Sequence, residues 1–89
     1  MLTVRYFAGA RAAAGVAEEA VPAEPVQPAA PAGPSLDELT RDLAERHGPR
    51  LARVLQVASF LVDGVVWHDR RAPLPAGATI DVLPPFAGG

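Results

Sequence analysis

The 89-residue chain contains no cysteine and no lysine. Without thiols there is no disulfide framework, no cysteine nucleophile and no thiolate metal site, and the two histidines cannot by themselves assemble a zinc centre, so no metal site is expected. Packing alone must hold the domain. All eight cationic side chains are arginine, within an Ala-, Pro- and Gly-rich composition of the kind that GC-rich coding produces. The chemical consequence holds whatever the cause: the chain has no ε-amine to capture an acyl group that it carries itself. A basic excess is also missing. The net charge is −2 and the pI near 5.5, which argues against nucleic acid as the main partner, because phosphate binding normally requires a cationic surplus. No apolar run approaches the length of a membrane span, and Met1-Leu2-Thr3-Val4-Arg5 lacks the layout of a secretory signal. The expectation is a cytoplasmic protein with neither a membrane nor a nucleic-acid partner. At this length one domain over residues 1–89 is expected, with little room for a deep substrate cavity, so a carrier or binding module is favoured over a self-sufficient enzyme.

What is present begins with a strand. Leu2, Val4 and Tyr6 alternate with Thr3, Arg5 and Phe7, leaving Phe7 on the face opposite the apolar one. Ala8 to Gly15 reads as a helical turn or loop, and Glu18 to Val21 as a short second strand stopped by Pro22. From residue 22 to residue 34 a proline recurs every third position (Pro22, Pro25, Pro28, Pro31, Pro34), the repeat of one polyproline II turn. This stretch reads as a stiff loop insertion, with a PxxP docking segment as the alternative. Ser35-Leu36-Asp37-Glu38 is a capping box that opens a helix; Leu36, Leu39 and Leu43 form its apolar stripe, and Gly48 and Pro49 end it. His47, at the helix C-terminus, is expected to be solvated or stabilised by the helix dipole. Arg41, Arg46, Arg50 and Arg53 read as a solvated face. Leu51, Val54 and Leu55 add apolar contacts in a further short turn. Ser59 to Val62 and Val65 to His68 are expected to pair as a hairpin through Asp63-Gly64, a dipeptide suited to a turn with two positive φ angles. A final strand runs from Thr79 to Leu83. The economical packing is α+β: a mixed four- to five-stranded sheet with one main helix across one face. Thr79, Asp81 and Leu83 then point away from the core, whereas the alternation does not decide which face Trp67 takes.

The sequence closes on Leu83-Pro84-Pro85-Phe86-Ala87-Gly88-Gly89. A terminal glycine pair places a carboxylate on the slimmest peptide available, able to thread a narrow channel. Pro84 and Pro85 hold the preceding backbone extended, so residues 84–89 are expected to project from the body as a flexible tail. Elsewhere no nucleophile–base pair is apparent: Ser35 is committed to a cap and Ser59 to a strand.

Arg5-Tyr6-Phe7-Ala8 with Arg11, the Ser35-Leu36-x-x-Leu39 helix start, Val62-Asp63-Gly64 and the closing Pro-Pro-x-Ala-Gly-Gly together resemble the ubiquitin-like sulfur carriers of the MoaD/ThiS type. The likeness spans nearly the whole chain. Within that group it is nearest to the small subunit of molybdopterin synthase and looser toward the thiamin-pathway carrier. Two features depart from the family pattern: the long proline-rich stretch and the non-acidic Ala76-Gly77-Ala78-Thr79 before the last strand. The resemblance implies a β-grasp (ubiquitin-like) fold. It also implies that Gly89, preceded by Gly88, is adenylated by an ATP- and Mg-dependent adenylyltransferase of the ubiquitin-activating type. A sulfur donor protein would then convert it to a thiocarboxylate, which gives its sulfur to a pterin precursor held by the large subunit of molybdopterin synthase. This chain would bind no cofactor itself and would be a carrier rather than an enzyme. By the same resemblance Phe7, Val66 and Leu83 form the apolar patch that meets both partners, with Pro84, Pro85, Phe86 and Ala87 at the root of the tail. The same ending also suits a carrier for cysteine, thiamin or another thio-metabolite, a protein modifier conjugated through Gly89, or a plain interaction module using its proline-rich segment.

Overall fold

Alternation of apolar residues along the first strand and a shared apolar face on the last bring the two ends of the chain together at the centre of one sheet. The computed structural model describes residues 1–22 and 34–85. Strands β1 (Leu2–Tyr6), β2 (Glu18–Val21), β3 (Ser59–Val62), β4 (Val65–Val66) and β5 (Thr79–Leu83) form a mixed sheet in the order β2-β1-β5-β3-β4. The central pair β1–β5 is parallel and the other pairings are antiparallel. Leu2, Val4, Tyr6, Phe60, Val62, Ile80 and Val82 make the buried face. The segment of period-three prolines falls largely at residues 23–33, outside the described residues.

Three helices accompany the sheet: α1 (Gly9–Ala14), α2 (Leu36–His47) and α3 (Pro49–Val57). Helix α2 starts where the capping box requires. The Ser35 hydroxyl accepts from the Glu38 N–H at 3.2 Å and the Glu38 carboxylate accepts from the Ser35 N–H at 3.1 Å. Its buried stripe is Leu36, Leu39, Thr40 and Leu43. The expected short turn after Pro49 is instead a nine-residue helix. Gly48 adopts φ 97°, and Pro49 at the first helical position restarts the helix rather than merely ending the one before it. Leu51 and Leu55 of α3 join the core that the sheet and α2 close.

His47 departs from expectation. The β1–β2 register sets Val4 opposite Glu19, which places Glu19 on the helix side of the sheet. Its carboxylate accepts from the Tyr6 hydroxyl at 2.7 Å and lies 2.5 Å from His47 Nε2. The Tyr6 and His47 rings meet edge to face at 5.9 Å. Burial, followed by the Glu19 hydrogen bond and charge, pushes the Tyr6 hydroxyl well above its ordinary value of 10.0. The imidazole therefore joins the end of α2 to the edge strand β2 instead of facing water.

The exit from β1 is strained. The Ala10 N–H donates to the Phe7 carbonyl at 3.0 Å, closing a turn in which Ala8 has φ 50° and ψ −123°. Glycine normally fills that region, because a Cβ crowds the backbone there; the cost is on the order of 1–3 kcal/mol. Glycine stands one position later, at Gly9, which has no positive φ and space for a side chain. Ala8→Gly is therefore expected to stabilise the domain by about 1 kcal/mol, after allowance for the greater freedom of glycine in the unfolded chain. Thermal denaturation checks this, and a lower melting temperature would refute the assigned turn.

Candidate functional site

The face of the sheet turned away from the helices carries the candidate docking residues. Register places them in rows. Arg5 pairs with Asp81, Asp81 with Leu61 and Leu61 with Val66, so these four residues cross the sheet side by side, with Glu18 beyond Arg5 at the β2 edge. One step along, Phe7 lies next to Leu83, which pairs with Ser59. The Phe7 N–H donates to the Val82 carbonyl at 3.3 Å, carrying the parallel ladder just past β1.

Phe7 is 40% exposed and Val66 53% exposed, large apolar side chains that the domain covers only in part. Leu83 and Leu61 are half-buried on the same face. Phe7, Val66 and Leu83 thus share one open face of the sheet, and Leu61 lies on it with them. The side Leu61 takes is hard to read from sequence because Ser59 to Val62 carries apolar residues on both faces; its pairing with Asp81 and Val66 reveals it. The adjoining Asp63-Gly64 turn has φ 49° and 83°, as its dipeptide requires. Strand β4 is shorter than expected, ending at Val66 rather than His68. The Trp67 backbone N–H donates to the Phe60 carbonyl at 2.9 Å, and its side chain packs half-buried against the core, which decides the open question of its face.

Asp81 lies on this open face as its place in β5 required, yet only 5% of it is exposed. The reason is Arg5. Its Nε and Nη2 donate to the two Asp81 carboxylate oxygens at 2.6 and 2.8 Å, and the guanidinium lies 5.7 Å from the centre of the Phe7 ring. The Asp81 hydrogen bonds, then its charge, raise the Arg5 pKa above its ordinary value. The face is consequently an apolar patch bordered on its β2 side by a hydrogen-bonded ion pair. Opposite charges at outward positions of the first and last strands were the available signal for this pair, but a parallel register 76 residues apart cannot be read from local pattern.

The tail leaves beside this patch. β5 ends at Leu83, between Phe7 and Ser59; Pro84 is half-buried and Pro85 exposed. Phe86, Ala87, Gly88 and Gly89 lie outside the described residues.

The ThiS family model matches residues 4–89, from the first strand through the final glycine. The chain belongs to the ThiS family. This is a group of small ubiquitin-like sulfur carriers rather than enzymes in their own right, and the β-grasp sheet found here is its fold. Solved structures share that fold with this ThiS-family chain. SAMP1 from Haloferax volcanii superposes with a TM-score of 0.74 at 20% identity, covering 99% of this chain and 98% of the other. A protein–protein complex of subunits 1 and 2 of the molybdopterin-converting factor from Helicobacter pylori 26695 contains a match with a TM-score of 0.64 at 23% identity, covering 99% and 97%. No curated protein matches the chain.

Among the described residues no helix is long and apolar enough to cross a membrane.

Proposed function

We propose that this ThiS-family protein is the sulfur-donating small subunit of molybdopterin synthase, loaded at Gly89. The observation that carries the reading is an apolar open face, Phe7, Leu61, Val66 and Leu83, situated where the strand leading to the Gly88-Gly89 end leaves the sheet. A docking patch at the root of a slim tail lets partners grip the body while the last residue enters their active sites. Structural similarity to a member of the Helicobacter pylori subunit 1–subunit 2 complex supports a large subunit as one of those partners.

The chemistry follows from the end group. An α-carboxylate has a pKa of about 3.5, so at neutral pH it is an anion and a poor electrophile. An adenylyltransferase of the ubiquitin-activating type, using ATP and Mg, would join a Gly89 carboxylate oxygen to the α-phosphorus and release pyrophosphate. The outer sulfur of a persulfide on the sulfur donor protein then displaces AMP. A thiol supplies two electrons to cleave the resulting acyl disulfide, leaving the Gly89 thiocarboxylate. The large subunit binds the pterin precursor and provides the groups for transfer; this chain provides reach and sulfur. The absence of lysine keeps the activated acyl group from being captured on a side chain of the same protein.

Incubation of the protein with ATP, Mg, the activating enzyme of the same organism and a persulfide donor is expected to give an intact-mass gain equal to the replacement of one oxygen by sulfur. Fragmentation should place it on the C-terminal glycine. No gain with any candidate activator, or amide adducts through Gly89 to lysines of other proteins instead, would overturn the assignment.

A further inference from the structure

The Arg5–Asp81 pair is asymmetric in a way that an ordinary surface ion pair is not. The carboxylate side chain is 7% exposed and the guanidinium 47%, so the anion is covered while the cation faces outward. A guanidinium carries five N–H donors in a planar fork. Asp81 occupies the side fork formed by Nε and Nη2. The end fork, formed by one N–H of Nη1 and the second N–H of Nη2, makes no hydrogen bond among the described residues. That end fork matches the two oxygens of a second carboxylate.

The surroundings suit recognition. Phe7 lies alongside the guanidinium, while Leu61 and Val66 continue the same row beyond Asp81. An arginine already held by a bidentate partner and a ring loses little further freedom on binding. Arginine and aromatic side chains are also the residue types that dominate binding energy at protein interfaces. Glu18, opposite Arg5 on β2, contributes charge but no hydrogen bond.

We infer that Arg5, fixed by Asp81 and backed by Phe7, is a cationic anchor within the docking face, and that the partner surface it meets presents a carboxylate set among apolar side chains. This rests on the docking role proposed above and specifies the chemistry of the partner. It also assigns Asp81 as a positioning residue that acts through Arg5.

The test measures binding of the full chain to the purified activating enzyme of the same organism over a series of salt concentrations. Arg5→Gln alone leaves the covered Asp81 carboxylate unpaired, which penalises folding. The double variant R5Q/D81N replaces the pair with neutral side chains of similar shape and serves as the folded comparison, verified by thermal denaturation. Its dissociation constant is expected to rise at least about tenfold, and its dependence on salt to become shallower than that of the wild type. Arg5→Lys, which keeps the charge but not the fork, should retain the salt dependence and still lose affinity. A folded R5Q/D81N variant that binds within about twofold of wild type, or with the same salt dependence, overturns the inference while leaving the docking role intact. A wild-type protein that fails to bind overturns both.

Discussion

A protein extended by one residue beyond Gly89 is expected to lose sulfur loading altogether while its melting temperature stays unchanged. The argument is one of distance. One added residue moves the terminal carboxylate by about 3.3–3.6 Å along an extended chain. Reacting atoms must approach to about 3–3.5 Å, and a misplacement of about 1 Å already costs roughly a hundredfold in rate. Under the proposed function, the added residue also converts the Gly89 carboxylate into an amide, which has no anionic oxygen to attack ATP. The expected loss is therefore more than about a thousandfold, below detection by intact mass. Continued loading of the extended protein would show that Gly89 is not the acceptor, and loss of fold would show that the tail belongs to the globule.

Leu43→Ala is expected to give the largest loss of stability. Leu43 is completely buried, on the α2 stripe with Leu36 and Leu39, against the sheet residues that close the core. Truncation removes the transfer free energy of the side chain and leaves a cavity, for a cost of about 2–5 kcal/mol. In a domain of this size each kcal/mol corresponds to roughly 4–8 °C, so a central value of about 3 kcal/mol lowers the melting temperature by roughly 10–25 °C. Total stability for such domains is about 5–15 kcal/mol, so a large part of the margin is lost. Val66→Ala on the open face supplies the contrast. Half of Val66 is already in water, and its truncation is expected to cost about 0.5 kcal/mol or less. A small effect at Leu43 together with a larger one at Val66 would mean that the two faces have been assigned the wrong way round.

The elements most easily read from the chain were those set by neighbours in sequence. Ser35 and Glu38 are three residues apart, and their mutual hydrogen bonds start α2 where the pattern indicated. Asp63-Gly64 takes its two positive φ angles for the same local reason. Leu2, Val4 and Tyr6 face the core because side chains alternate along any strand. Phe7 is legible as an outward aromatic by the same rule. Family membership rested on motifs spread along the chain and on its closing glycines, and the matched region runs through Gly89.

Less legible was whatever depends on contacts distant in sequence. A short apolar run such as Leu51, Val54 and Leu55 has too little length to declare its helix, which gains its stability by packing on the core. His47 faces Glu19 because an edge strand and the end of a helix 28 residues later converge. Ala8 occupies a backbone region that its residue type alone argues against.

By itself, then, the order of residues determined the capped helix, the hairpin turn, the inward and outward faces of the first and last strands, and the family to which the chain belongs. Only the tertiary structure decided that Asp81 is covered by Arg5, that Leu61 joins Phe7, Val66 and Leu83, and that Trp67 turns inward. The physical reason is that local hydrogen bonding and alternation act between neighbours along the chain, whereas the parallel β1–β5 register is set by burial of a core shared by the whole domain.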